Sequence, residues 1–385
     1  MRRKINKSSS PFQRIAAAGF AFFILSYFIC NPASAQFTPF EKAIADFDAE
    51  VTTKVAEDAA GCVSVAVFIG DRVVWAKGYG WADIENQVAA TEETIGRIGS
   101  ISKSFTAVAM VRLAERGILN LDDPVEKYFP EIKNLADPPK DMKRVTFRML
   151  ASHTSGLIRE PNLAGAASGS IYHWEEKILE SIPKTSFKTS PLTEYFYSNI
   201  GFGILGLAIS RAAKVPFMDL VERQIFKPLG LKSSAFIINT PELWARMSVG
   251  YSKDRRTGEV SAEAATREHL GRGYKVPNGG IYSTVGDLAG FAAAMMGESR
   301  VRILSPESRK EIFTPQPPAA SYGLGFTIRE EDGLKLVGHG GSVAGYNANL
   351  VFDLNSKIGV AMLRTTGYDP PTGELLRKLV AGKKQ

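Results

Sequence analysis

The stretch from Ile101 to Arg116 constrains the fold of this chain more than any other. Its residues are mostly apolar or small, with Phe105, Val108, Met110, Val111 and Leu113 spread around the helical wheel, and Gly117 follows as a stop. A helix apolar on nearly every side has to be central, because none of its faces is stable in water. Yet Lys103 stands in the first turn, where an unpaired charge is costly to bury. Ser100 lies three residues earlier, which puts both side chains on one helical face, a turn apart.

Serine is a weak nucleophile until a base takes its proton, and lysine serves as that base only when burial or neighbouring cations depress its pKa. At a helix start, the free backbone N–H and the positive helix end also favour negative charge developing beside the hydroxyl. The S-x-x-K spacing fits a plainer reading equally well, with Lys103 snorkelling to solvent and Ser100 capping the helix.

The first residues read as an export signal. Arg2, Arg3, Lys4, Lys7 and Arg14 precede an apolar run from Ile15 to Cys30, and Ala33-Ser34-Ala35 offers a small-residue cleavage site. Residues 1–35 are therefore expected to be a signal peptide, with Gln36 opening a periplasmic or secreted chain that has no stable membrane insertion. Cleavage removes five of the 47 basic residues, leaving 42 against 40 acidic ones, a net of +2. The apparent basicity then belongs to the signal and gives no reason to expect a nucleic-acid partner. Only Cys62 remains, so no internal disulfide is available and stability has to come from the core.

Along the mature chain, Thr38 to Ala59 is an amphipathic helix. Cys62 to Ile69 and Arg72 to Tyr79 form a hairpin through Gly70-Asp71. Gly78-Tyr79-Gly80 lacks the spacing of a phosphate loop. Ile200 to Ala213 and Pro216 to Phe226 are helical, and Thr284 to Asp287 resembles a capping box ahead of Leu288 to Met296. Strands are expected at Tyr322 to Arg329, Leu334 to Gly338, Asn347 to Leu354 and Ile358 to Arg364, before a helix from Thr372 to Val380. Strands at both ends imply an α/β (α+β) fold: an antiparallel sheet flanked by helices, with an inserted all-α lobe. Residues 36–115 and 270–385 would form the sheet domain and 116–269 the lobe. The terminal helices would cover one sheet face and the Ser100 helix the other.

Two further motifs carry chemistry. Tyr197-Ser198-Asn199 precedes a helix; Asn199 could simply cap it, or the Tyr197 phenol could share protons with Ser100 and Lys103 while Asn199 faces substrate. His339-Gly340-Gly341-Ser342 ends a strand, where missing side chains let a substrate lie along the edge. The Ser342 and Ser100 N–H groups could then hold an oxyanion. The plainer alternative is a glycine-rich turn with an incidental histidine.

With these residues the chain resembles the serine β-lactamase and penicillin-binding-protein superfamily, in the branch of class C β-lactamases, D,D-carboxypeptidases, D-aminopeptidases and related esterases. Ser100-x-x-Lys103 matches the first signature, Tyr197-Ser198-Asn199 the branch's Y-x-N, and His339-Gly340-Gly341 its H/K-x-G. Segments 152–157, 228–231, 279–288 and 322–326 are similar as well, and the likeness covers essentially the whole mature chain. It implies two-step acyl transfer by Ser100 to water from an amide or ester of a small molecule or peptide. Lys103 and Tyr197 would share acid and base duty, Asn199, His339, Gly340 and Gly341 would bind substrate, and no metal or organic cofactor would be needed. A catalytically silent binding protein on the same fold is the alternative.

No G-x-S-x-G elbow is present, and four histidines, His153, His173, His269 and His339, give a Ser-His-Asp triad nothing local to mark it. His153 reads as a structural loop residue and His173 and His269 as surface positions. A lysine and hydroxyl in the third motif would suit a substrate carboxylate, and His339-Gly340 offers neither in full. That favours esters or D-amino-acid peptides over β-lactams.

Overall fold

The computed structural model describes residues 38–140, 142–254 and 256–383. The expected signal peptide lies outside them. Thr38 opens the first helix, α1 (Pro39–Asp58), with a full capping box: its hydroxyl accepts from the Glu41 N–H at 3.2 Å and its own N–H donates to the Glu41 carboxylate at 2.9 Å. Then come β1 (Cys62–Ile69), β2 (Arg72–Asp83) and β3 (Val88–Ala89). The middle of the chain supplies α2 (Ser102–Glu115), α3 (Asn199–Ala213) and α4 (Val285–Met296), among shorter helices. The end supplies β4 (Thr327–Glu331), β5 (Leu334–Val343), β6 (Tyr346–Asp353), β7 (Ile358–Arg364) and α5 (Thr372–Lys383).

The seven strands form one sheet in the order β3-β2-β1-β7-β6-β5-β4. Each pairing is antiparallel, and the central pair joins the two ends of the chain, with Val63 opposite Arg364 and Ile69 opposite Ile358. Thr38 to Gln385 cluster as one compact unit.

Strand alternation sorts the core onto two faces. Val63, Val65, Val67, Val360 and Met362 meet Phe47 and Val51 of α1 and Leu376 and Leu379 of α5. The terminal helices thus cover one face, as the sequence implies. Ala66, Phe68, Leu350, Phe352 and Ala361 point the other way into a core that continues through the helices of the middle segment. Here the sequence expectation needs correction. The helix lying on these strands is α4, and α2 stands behind it, with Phe105 stacked on Phe291 at 3.8 Å between ring centroids. The turn ahead of α2, Gly99–Ile101, is what packs closely against β5 and β6.

Two local readings also change. Tyr322 to Phe326 precedes β4 rather than belonging to it: Gly325 turns at φ +75°, and its carbonyl takes the Ser104 hydroxyl at 2.6 Å. At the head of α4 only half of a capping box forms. The Thr284 hydroxyl accepts from the Asp287 N–H at 3.2 Å, but the Asp287 carboxylate binds the Ser233 N–H and the Ser234 hydroxyl, each at 2.8 Å. Among the described residues no single helix is long and apolar enough to cross a membrane.

Candidate active site

Ser100 sits in the 3₁₀ turn Gly99–Ile101, which Gly99 enters at φ +50°, just before α2. It is therefore not the cap of the helix. Lys103, in the first turn of α2, is fully buried. Its Nζ lies 3.0 Å from the Ser100 Oγ and donates to the Asn278 carbonyl at 3.2 Å. Snorkelling is excluded by that burial. Burial foremost, then the cations of Arg272, Arg159 and Lys275, hold the amine well below its ordinary range, and Glu160 only partly opposes them. An amine whose charged form is so disfavoured gives up its proton more readily than an exposed lysine and is suited to exchange one with the Ser100 hydroxyl.

Tyr197 flanks the pair, its ring centroid 4.8 Å from the Lys103 Nζ. Burial pushes its phenol up to about 12, with the neighbouring Ser100 hydroxyl pulling the other way. Tyr197 is aimed from behind by His153, a buried residue at φ +60° whose ring centroid lies 4.2 Å from that of Tyr197. The His153 Nδ1 accepts the Ser198 N–H at 3.0 Å, and its carbonyl accepts the Phe196 N–H at 2.9 Å. Burial keeps the imidazole neutral, so its proton resides on Nε2, which has no partner among the described residues. His153 is a structural residue, as expected, and the structure it supports is this site. His269 differs from expectation: it is half-buried and bonded through Nδ1 to the Tyr282 hydroxyl at 2.7 Å.

Asn199 begins α3, but Ser198 caps that helix, its Oγ accepting from the Gly201 N–H at 3.0 Å. The Asn199 amide donates to Glu160 at 2.7 Å, and the residue does not line the cavity above Ser100. Of the four residues expected to bind substrate, Asn199 is thus directed at Glu160 and away from that cavity, while His339, Gly340 and Gly341 line it.

His339, Gly340, Gly341 and Ser342 continue β5 as a strand, not as a turn. β4 pairs with β5 only from Leu334 to Gly338, so from His339 onward this edge has no strand partner among the described residues. The Gly99–Ile101 turn packs against it instead. A Cβ on Gly341 would collide with the Ile98 carbonyl and lie 3.2 Å from the Ser100 nitrogen; one on Gly99 would lie 2.8 Å from the Ser342 nitrogen. This close approach sets the backbone of the Ser100 turn directly against that of Gly341 and Ser342. A Cβ on Gly340 would meet nothing within 4 Å. His339 is neutral, driven down to about 3 foremost by burial. Its Nδ1–H donates to the Gly340 carbonyl at 2.6 Å, so its Nε2 accepts from the Tyr322 hydroxyl at 2.9 Å.

Ser100, Arg159, Tyr197, His339, Gly340, Gly341 and Ser342 share one cavity of about 650 Å³. Three stretches distant in sequence therefore converge as the motifs require. A family model described as Beta-lactamase matches residues 47–383. The chain belongs to the beta-lactamase family.

Within that family the chain is 29% identical over 344 residues to beta-lactamase-like protein 4 of Dictyostelium discoideum, covering 83% of this chain and 59% of the relative. It is 29% identical over 228 residues to the D-alanyl-D-alanine-carboxypeptidase/endopeptidase AmpH of Escherichia coli K12, covering 59% of this chain and 55% of the relative. The octameric penicillin-binding protein homologue from Pyrococcus abyssi superposes with a TM-score of 0.71 at 28% identity, over 88% of this chain and 76% of that one. The chain spans about three fifths of the length of the curated relatives it matches first, 59% to 63%.

This beta-lactamase family member also carries site residues that motif reading did not single out. Asn278, whose carbonyl takes the Lys103 amine, adjoins the similar 279–288 segment, and Tyr322 opens another. Arg159 and Glu160 follow the Ser152–Leu157 segment with no local mark. Among the described residues no group of three or more His, Cys, Asp or Glu side chains is placed to hold a metal ion.

Proposed function

We propose that this protein is a serine hydrolase that opens amide or ester bonds through an acyl-enzyme on Ser100. The observation carrying this reading is the buried Lys103 amine 3.0 Å from the Ser100 hydroxyl. Lys103 takes the Ser100 proton as Oγ bonds to the substrate carbonyl carbon. The Ser100 and Ser342 N–H groups receive the oxyanion. Collapse then breaks the bond to the leaving group, which gains a proton relayed from Lys103 through the Tyr197 phenol. Water repeats the sequence on the acyl-enzyme and releases the acid. A phenol raised to about 12 stays protonated near neutrality, which suits it to donate rather than to begin as the base. Positioned proton transfer contributes about 10²–10⁴-fold, and one oxyanion donor about 2.7–4 kcal/mol.

The third motif bears on substrate. A neutral His339 supplies no cation for a β-lactam carboxylate, and Gly340 supplies no hydroxyl, so esters are better substrates than β-lactams, and a D-amino-acid peptide would need another partner for its terminal carboxylate. The AmpH relative, a D-alanyl-D-alanine-carboxypeptidase/endopeptidase, supports the peptide class. Nitrocefin, a p-nitrophenyl ester and a D-Ala-D-Ala peptide assayed together, with a fluorophosphonate as label, test the reading. Turnover of the ester or the peptide, and labelling lost in Ser100→Ala, are expected. If no probe labels the wild type and Ser100→Ala changes nothing, a binding protein on this fold replaces the hydrolase.

A further inference from the structure

The cavity above Ser100 is electrostatically lopsided. Lys103 is buried and does not line the cavity, His339 is neutral, and Arg364, which also lines the cavity, is compensated, its guanidinium lying 3.1 Å from the Asp369 carboxylate and donating to the Thr366 carbonyl at 2.7 Å. Arg159 is different. Its carbonyl is clamped to the start of α3, accepting the Asn199 N–H at 2.8 Å, while its side chain is 61% exposed and lines the cavity. The guanidinium carbon lies 5.0 Å from the centroid of the Tyr197 ring.

No hydrogen bond engages that guanidinium among the described residues. Its nearest carboxylate, Glu160, is 4.0 Å away and already serves the Asn199 amide at 2.7 Å, the Lys275 ammonium at 3.1 Å and the Tyr274 hydroxyl. An anchored backbone, a planar fork held against an aromatic face and vacant donors together make a recognition group in waiting. A guanidinium fork matches a carboxylate in two parallel hydrogen bonds.

We infer that Arg159 is a specificity-determining residue, selecting substrates that carry a carboxylate on the part reaching past Tyr197. The inference rests on the hydrolase reading for its reaction and on the cavity alone for its binding. It moves anion recognition from the third motif, where His339 cannot provide it, to the wall on the Tyr197 side.

The test compares carboxylate and neutral members of two substrate pairs. One pair is p-nitrophenyl hemiglutarate and p-nitrophenyl valerate, with the charge on the acyl side; the other is N-acetyl-D-Ala-D-Ala and its C-terminal amide, with the charge on the leaving group. Each ratio of kcat/KM is taken within one enzyme at one pH, so any change in Lys103 basicity cancels. In at least one pair the wild type should prefer the charged member by tenfold or more, mainly through KM. The preference should fall to near parity in Arg159→Gln, survive in part in Arg159→Lys and reverse in Arg159→Glu. Ratios unchanged by all three substitutions in both pairs would overturn the inference. Labelling of Ser100 by a neutral fluorophosphonate reports separately on the hydrolase reading. Should turnover be absent, calorimetric binding of glutarate and N-acetyl-D-alanine, lost in Arg159→Gln, still supports the inference; no binding, or equal binding to both proteins, overturns it.

Discussion

At the scale of single residues the site is built on a buried amine that costs stability. Lys103 has a folded pKa depressed from an ordinary 10.5, so below that pH the unfolded chain takes up a proton that the folded chain does not. Stability from this group is therefore lost as pH falls from above 10.5 toward the folded pKa, and is level below it. Lys103→Met keeps the length and removes the amine, at the expense of two hydrogen bonds, to the Ser100 hydroxyl and the Asn278 carbonyl, each worth about 1 kcal/mol. The variant should unfold at a higher temperature than the wild type at pH 7, with the gap narrowing toward pH 10, while kcat/KM falls by at least about 10²-fold. Thermal unfolding at both pH values checks this; a variant less stable at each of them refutes it. That Ser100, Lys103 and Tyr197 would lie together was legible in the sequence, because their motifs are marked by residue type at fixed local spacing. Asn278, Glu160 and Arg159 were not, since a carbonyl that binds an amine or a guanidinium without partners acquires that role only through tertiary neighbours.

At the scale of elements, the free edge of β5 is the feature on which the site depends. Gly340 and Gly341 look alike in sequence and differ in surroundings. Gly341→Ala would drive a methyl group into the Ile98 carbonyl and part the strand from the Ser100 turn. It should lower kcat/KM by about 10²–10³-fold, the loss expected when an oxyanion donor is displaced. Gly340→Ala should fold as well as the wild type and change activity by less than tenfold. Steady-state kinetics and circular dichroism on the pair separate the two roles, and equal losses would remove the close-approach account. A second test concerns α4: Thr284→Ala removes its cap and should cost about 1 kcal/mol by denaturant titration. The strands and long helices were legible from their periodicity. What misled was Tyr322 to Phe326, whose apolar alternation resembles a strand while its glycine turn serves to receive the Ser104 hydroxyl.

At the scale of the whole molecule, the sheet is closed by its two ends. β1 pairs with β7 across nearly the full chain length, and α1 and α5 seal the face they share. A chain ending before Ile358 lacks the strand that joins the hairpin β1–β2 to β6, and it should show neither cooperative unfolding nor Ser100 labelling. Phe105, stacked between α2 and α4, links the Lys103 helix to the sheet; Phe105→Ala should cost about 3–5 kcal/mol. That the sheet draws on both ends was legible from strand patterns. Which helix lies on it was not, because α2 and α4 are both apolar nearly all round and their order of stacking is decided by fit.

The central claim is that the buried Lys103 amine, its pKa depressed, activates Ser100. Its most direct measurement is the rate of Ser100 acylation by an activated ester as a function of pH, with the adduct located by peptide mass mapping. The account predicts a rate that rises with pH to a plateau reached well below 10.5, an adduct on Ser100, and loss of both in Lys103→Met. A rate that climbs without a plateau to pH 10.5, or one that Lys103→Met leaves unchanged, would contradict it.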